Sequence, residues 1–138
     1  MQTWQIFTDG GSRGNPGESA CAFVVTADGA DVYSEGLYLG VGTNNEAEYA
    51  GVIASLRWVL LQDLTSVEKI EWFADSQLVV NQVSRLWKIK EPRIQHMVTE
   101  IWGLQKKLTM PFSMQYVPRE KNQEADLLVN QTLDTHLA

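Results

Sequence analysis

The dipeptide Asp28-Gly29, set between two segments rich in Val, Phe, Tyr and Ala, constrains this 138-residue chain more than any other local feature. Two-residue hairpin turns need positive φ at both central positions, which Asp-Gly accepts, so segments 19–27 and 30–39 read as an antiparallel pair. Ahead of them Trp4, Ile6 and Thr8 alternate with Gln5, Phe7 and Asp9, the period of a strand. Behind them the pattern changes. Thr43 and Glu46 have the spacing of a capping box, and the run from Ala47 to Leu61 is long, apolar and free of proline. Segment 67–74 (Val67, Ile70, Trp72, Phe73) reads as a buried strand, and 76 to about 86 as a short helix. Pro92 suits the first turn of another helix. Its apolar positions Ile94, Met97, Val98, Ile101, Leu104 and Leu108 keep the 3.6-residue period. Pro111 precedes a last strand, 112–117, and Asn122 is placed to cap a final helix reaching about Leu137. The order β-β-β-α-β-α-α-β-α puts a hairpin first and crossovers after it. It predicts an α/β fold with a mixed sheet covered by helices, in one domain spanning residues 1–138.

Hydrophobic residues at 44% and charged residues at 20% are the balance of an ordinary globular domain. No apolar run approaches the ~20 residues of a membrane-spanning helix, and strand-like sequence starts at Trp4, so neither a membrane partner nor a targeting peptide is expected. Cys21 is the one cysteine, which excludes an internal disulfide and a cysteine-based zinc site; a reducing, cytoplasmic setting and a monomer are the expectation. The net charge of −6 runs against a nucleic-acid partner until placement is considered. Arg85, Lys88, Lys90 and Arg93 surround Trp87 within a stretch holding one acid, Glu91.

Two places share one design: an apolar strand, an aspartate, then small or polar residues. They are Ile6-Phe7-Thr8-Asp9-Gly10-Gly11 and Trp72-Phe73-Ala74-Asp75-Ser76-Gln77. Ligands of α/β sheets gather beyond the carboxyl ends of strands, so the two aspartates converge if their strands are neighbours. Taken singly, each is equally well a turn or cap residue. Glu48 lies one turn into the first long helix on a polar stripe with Asn44, Gly51 and Ser55, which by itself reads as a solvated face. Asp126, four residues after Asn122, by itself reads as an acid favourably placed near a helix N-terminus.

Together these segments resemble the type 1 ribonuclease H family. Residues 8–17 (Thr-Asp-Gly-Gly-Ser-Arg-Gly-Asn-Pro-Gly) are similar to its first motif, and 43–48 (Thr-Asn-Asn-Glu-Ala-Glu) to its second. Asp75-Ser76-Gln77 is similar to the third and 122–126 (Asn-Gln-Glu-Ala-Asp) to the fourth. The resemblance implies a ribonuclease H-like fold, with a five-stranded mixed sheet of three antiparallel and then two parallel strands, flanked by helices. It implies that Asp9, Glu48, Asp75 and Asp126 meet in one catalytic site holding two Mg²⁺ or Mn²⁺ ions. Asp9 would bridge the ions, Asp126 would bind one and Glu48 and Asp75 the other. The implied reaction cuts the RNA strand of RNA–DNA hybrids, leaving 5′-phosphate and 3′-hydroxyl ends. Physical chemistry agrees with such a cluster only if cations or protons fill it. Two carboxylates ~4 Å apart repel by about 4 kcal/mol at an effective dielectric near 20. An all-oxygen ligand set suits hard divalent ions.

The same resemblance assigns substrate contacts. RNA is told from DNA by its 2′-hydroxyl, which short amides and backbone groups can both donate to and accept from. Gly10, Ser12, Asn15, Asn44, Asn45 and Gln77 match the positions beside the cut RNA strand, and Thr43 caps its helix while touching a DNA phosphate. Taken alone, Asn15 is a turn residue before Pro16, and Asn44 and Asn45 belong to a helix start. Trp87, with Lys88 and Lys90, matches a DNA-strand surface that works by stacking and phosphate contact. A nucleotide-binding reading of the glycine-rich stretch 10–17 fails, because it lacks the Lys-Ser/Thr ending and no helix follows it.

Two departures from the family stand out. The connector between Leu86 and Pro92 is too short for the basic protrusion of many bacterial members. In place of a loop histidine the chain has Val117-Pro118-Arg119-Glu120-Lys121, which makes Arg119 the candidate to act on the scissile or leaving phosphate. Both departures resemble the compact, archaeal-type branch. Rival functions are a catalytically weak hybrid-binding module and a metal-dependent nuclease of other specificity, double-stranded RNA included. Four clustered acids beside phosphates serve no binder, and the Asn15, Asn44, Asn45 and Gln77 set favours an RNA-strand reader.

Overall fold

The structure, a computed structural model, describes all residues from Met1 to Ala138. Strands β1 (Gln2–Gly14), β2 (Gly17–Ala27) and β3 (Ala30–Gly42) come first, then helix α1 (Asn44–Leu60) and strand β4 (Val67–Ala74). Helices α2 (Gln77–Val83) and α3 (Pro92–Gln105), strand β5 (Phe112–Tyr116), a short 3₁₀ turn (Arg119–Lys121) and helix α4 (Gln123–Leu137) complete the chain. The sheet runs β3-β2-β1-β4-β5, antiparallel across β3-β2-β1 and parallel across β1-β4-β5. This is the mixed five-stranded sheet of the sequence expectation, flanked by helices.

Local chemistry accounts for the elements. Asp28 and Gly29 take positive φ of 50° and 85°, turning β2 into β3. The Asp28 carboxylate also accepts the Thr3 backbone N–H at 3.1 Å, fixing the turn to β1. The capping box is complete: Glu46 N–H donates to Thr43 Oγ1 at 3.1 Å and Thr43 N–H to the Glu46 carboxylate at 3.0 Å. Pro92 stands at the start of α3, where its missing N–H costs nothing.

Four details differ from the sequence reading. The glycine-rich stretch is strand for most of its length: Gly10 to Gly14 continue β1 and pair with Gly17 to Cys21. Helix α2 stops at Val83 rather than near Leu86, because Arg85 adopts a left-handed conformation (φ 66°) that no helix continues through. Helix α3 ends at Gln105, short of Leu108. Asn122 makes no capping hydrogen bond for α4. It turns inward, fully buried, and its Nδ2 donates to the Thr8 carbonyl at 2.9 Å, tying the start of α4 to β1 beside Asp9.

One sheet face carries α1 and α3 over a core of 18 buried residues, among them Ile6, Phe23, Tyr49, Leu56, Ile70 and Val98. The other face is covered in part by α4, through Ala20, Ala22, Val129 and Leu133. Each fully buried Val, Leu or Ile side chain favours folding by roughly 1.5–3 kcal/mol, so the larger core holds α1 in place. The polar stripe of α1 is the surprise. Gly51 and Ser55 are buried against the sheet, not solvated. Ser55 Oγ accepts the Trp72 indole N–H at 2.9 Å and donates to the Val52 carbonyl at 2.7 Å. A Cβ on Gly10 would lie 2.2 Å from the Ala47 backbone, and one on Gly51 2.8 Å from the Asp9 carbonyl. The small residues let α1 rest backbone to backbone on β1. No helix is long and apolar enough to cross a membrane.

Candidate metal centre

Parallel pairing of β1 with β4 sets the carboxyl end of β4 beside the middle of β1, with Thr8 in register with Ala74. Strand β1 runs on to Gly14, so Asp9 lies within its strand and not, as the sequence suggested, at its end. The next residues are Asp9 and Asp75. Close approach of α1 to β1 adds Glu48 from above. Carboxylate oxygens of Asp9, Glu48 and Asp75 all lie within 4.8 Å of one another, a grouping able to hold a metal ion. Asp126, one turn into α4, approaches from the opposite face of the sheet and lines the same cleft, outside the tight grouping of the other three.

Electrostatics mark the cluster. Burial, then the Asp75 charge, then Asp126, push the Asp9 carboxyl up to about 8, against a lowering hydrogen bond from the Gly10 backbone. Burial raises Glu48 to about 7, reinforced by Asp75 and opposed by a hydrogen bond with Ser76. Charged carboxylates this close and this dry are unfavourable without a cation, and the all-oxygen donor set fits a hard divalent one. The residues present therefore suit the metals that the sequence motifs imply.

The acids line a cleft of about 460 Å³ with Gly10, Gly11, Ser12, Arg13, Asn44, Arg119 and Asn130 among its walls. Ser12 and Asn44 are fastened together: Ser12 N–H donates to Asn44 Oδ1 at 2.8 Å, and the Asn44 N–H donates to Asn15 Oδ1 at 3.1 Å. Arg119, largely exposed, reaches the Asp126 carboxylate at 3.7 Å from the turn before α4.

The other sequence candidates lie outside that cleft. Thr43 is engaged in its capping box. Gln77 is exposed at the first turn of α2. Asn45 shares a shallower depression with Lys88 and Lys90. Trp87 is 48% exposed, unlike Trp4 and Trp72, which are buried. Of the basic residues near it, Arg85 lays its guanidinium over the Trp102 ring at 3.8 Å and Arg93 pairs with Glu46 at 2.9 Å. Lys88 and Lys90 have no acidic partner. Sequence reasoning overlooked Arg13 and Asn130 as cleft residues. Only the spacing of Asn130, four after Asp126 on one helix face, hinted at its place.

Comparison with known proteins places this arrangement. The sequence profile of the Reverse transcriptase-like family matches residues 7–132. The bifunctional protein Rv2228c of Mycobacterium tuberculosis is 38% identical over 131 residues, which cover 94% of this chain but 35% of that protein. The chain thus spans about a third of the length of that relative. The crystal structure of RNase H1 from the halophilic archaeon Halobacterium salinarum superposes with a TM-score of 0.88 at 34% identity, covering 96% of this chain and 98% of the other. LC11-RNase H1, isolated from compost by a metagenomic approach, gives a TM-score of 0.93 at 35% identity with both chains fully covered. The same LC11 enzyme in complex with an RNA/DNA hybrid gives 0.89 at 33% identity, covering 98% and 99%. With one fold, the same length and a third of the residues shared with these structures, the chain belongs to the ribonuclease H1 family.

Proposed function

We propose that this chain hydrolyses the RNA strand of RNA–DNA hybrids, with Mg²⁺ or Mn²⁺, leaving 5′-phosphate and 3′-hydroxyl ends. The observation that carries the reading is the meeting of Asp9, Glu48 and Asp75 within 4.8 Å in a cleft of about 460 Å³. It is supported by the similar LC11 enzyme, whose structure was solved with an RNA/DNA hybrid. Two divalent ions bound there would supply an activated water and neutralise the charge that develops on the phosphate oxygens.

The chain's own residues do the rest. Asp9, Glu48, Asp75 and Asp126 supply the ligand oxygens, Asp9 at the centre of the set. Asn44 commits its Oδ1 to Ser12, which leaves its Nδ2 to donate to a 2′-hydroxyl. Gly11 keeps that wall low, and the backbone of Gly10 and Gly11 reaches the RNA strand with Asn15, Asn45 and Gln77. Arg119 approaches the site from the side of Asp126 and is placed to hold the scissile or leaving phosphate. Trp87, Lys88 and Lys90 receive the DNA strand, with Thr43 on one of its phosphates.

The test is cleavage of a labelled hybrid with either metal, beside single-stranded RNA, double-stranded RNA and DNA. Hybrid-selective cutting that disappears in Asp9→Asn is expected. Absence of cutting with both metals would leave a hybrid-binding module. Arg119→Ala should lower turnover, and an unchanged rate would remove it from the site.

A further inference from the structure

Arg13 lies on the cleft wall together with the acids, and it and Arg119 are the two cations there. Its guanidinium is held by α4: it donates to the Asn130 carbonyl at 3.3 Å and pairs with the Asp134 carboxylate at 2.6 Å. Asp126, Asn130 and Asp134 stand at i, i+4 and i+8, one above another on a single helix face. Asp126 is at the acid end and Asp134 about 12 Å further along the helix. The cleft between them is floored by Val129 and Leu133.

We propose that Arg13 is a substrate-binding residue, gripping a phosphate of the strand being cut at a position beyond the scissile one. The assignment rests on the hybrid-cutting function proposed above. A strand seated on the four acids and running along this wall meets Arg13 next. A phosphate there needs a cation, because the divalent ions neutralise only the site of cutting. The present partner is a yielding one. Side chains of Arg13 and Asp134 are 39% and 68% exposed, and ion pairs this open are weak and screened by salt. A phosphate, offering charge-assisted and bidentate hydrogen bonds, can displace Asp134 while the Asn130 carbonyl continues to orient the guanidinium. Asp134 then serves as a placeholder that keeps Arg13 aimed along the wall.

The alternative is a staple joining β1 to α4, and the two roles separate cleanly. In an Asp9→Asn background, chosen to remove cutting while leaving the hybrid surface in place, binding of a fluorescently labelled RNA–DNA hybrid would be followed by anisotropy across a salt series. Arg13→Ala should weaken binding about five- to tenfold at ~0.1 M salt and reduce the slope of log Kd against log salt by about 0.9, the value of one phosphate contact. Arg13→Lys should keep the slope. Asp134→Asn should bind as tightly as its parent or tighter. An unchanged slope in Arg13→Ala, or parallel losses of binding and melting temperature in Arg13→Ala and Asp134→Asn, would overturn the inference. If Asp9→Asn does not bind the hybrid, both this assignment and the proposed function fall. If it binds with the expected slopes but the unaltered chain does not cut, only the function falls.

Discussion

The acid end of the cleft and the connector at residues 84–91 are built on opposite terms. Asp9 stands within β1, Asp75 just past the end of the paired β4, and Glu48 on a helix pressed against β1, so regular, buried elements fix the backbone beneath each carboxylate. The connector has no regular structure. Leu86 and Trp87 N–H groups share the Asn81 carbonyl, Gln82 Nε2 donates to the Lys88 carbonyl at 2.9 Å, and Arg85 rests on Trp102. Around those anchors Leu86 is 73% exposed and Trp87 48%. Chemistry that must hold charges within a few ångströms is placed on the buried frame. Contact with a long, uniform phosphate backbone, the role proposed for the connector, would tolerate a looser mount.

The comparison breaks most readily at the acids. Asp75→Asn should cut turnover by more than the ~100-fold that losing even an outer partner of a metal ligand costs, with no loss of thermal stability. Retained turnover, measured on the labelled hybrid, would show that the site is not over-determined. Gly10→Ala should be the largest structural lesion. Its Cβ has no space against the Ala47 backbone, so a loss of about 3 kcal/mol, or ~10 °C in melting temperature, is expected. Calorimetry showing a change under a degree would mean that α1 is free to lift.

A third test uses pH. Asp9 and Glu48 sit above their ordinary range, at about 8 and about 7, so in the unfolded chain they ionise at lower pH. Their contribution to stability is complete below about pH 4 and is lost as pH rises through 7 and 8. Metal-free protein should therefore melt roughly 5 °C lower at pH 8.5 than at pH 5.5, and Mg²⁺ should recover most of the difference. A flat profile in chelator would deny that burial, reinforced by mutual repulsion, holds these acids above their ordinary range. Smallest in reach is Trp87→Ala, for which KM for the hybrid should rise about tenfold through lost base stacking. Its turnover should hold, and its stability should stay within ~0.5 kcal/mol. A fall in turnover of the same size would mean that the connector and the acids are one unit after all.

Much of this contrast was visible in the chain itself. Turn chemistry at Asp28-Gly29, the Thr43–Glu46 box and the two strand-then-aspartate segments depend on local rules, and the fold follows them. What escaped was non-local. Gly51 and Ser55 look like a solvated stripe because small polar residues are common on exposed faces; only the sheet opposite shows that they are small to admit it. Gly10 to Gly14 look like a loop because glycine weakens strands, yet β2 supplies the partner that makes them one. Asn122 has the right type and place for a cap, but the Thr8 carbonyl across the sheet competes successfully for its amide. Arg13 lies inside the first motif, yet nothing local marked its side chain as part of the cleft, since the wall it stands on exists only once α4 has docked.

The seating of α1 on β1 has an evolutionary consequence. Because main chain meets main chain at Gly10 and Gly51, the gap between Asp9 and Glu48 is gauged by backbone rather than by the girth of core side chains. Substitutions among the 18 core residues can alter stability while leaving that gauge unchanged. Lineages can then drift far apart in their interiors, and be made hardier or more delicate, without retuning the spacing of the acids.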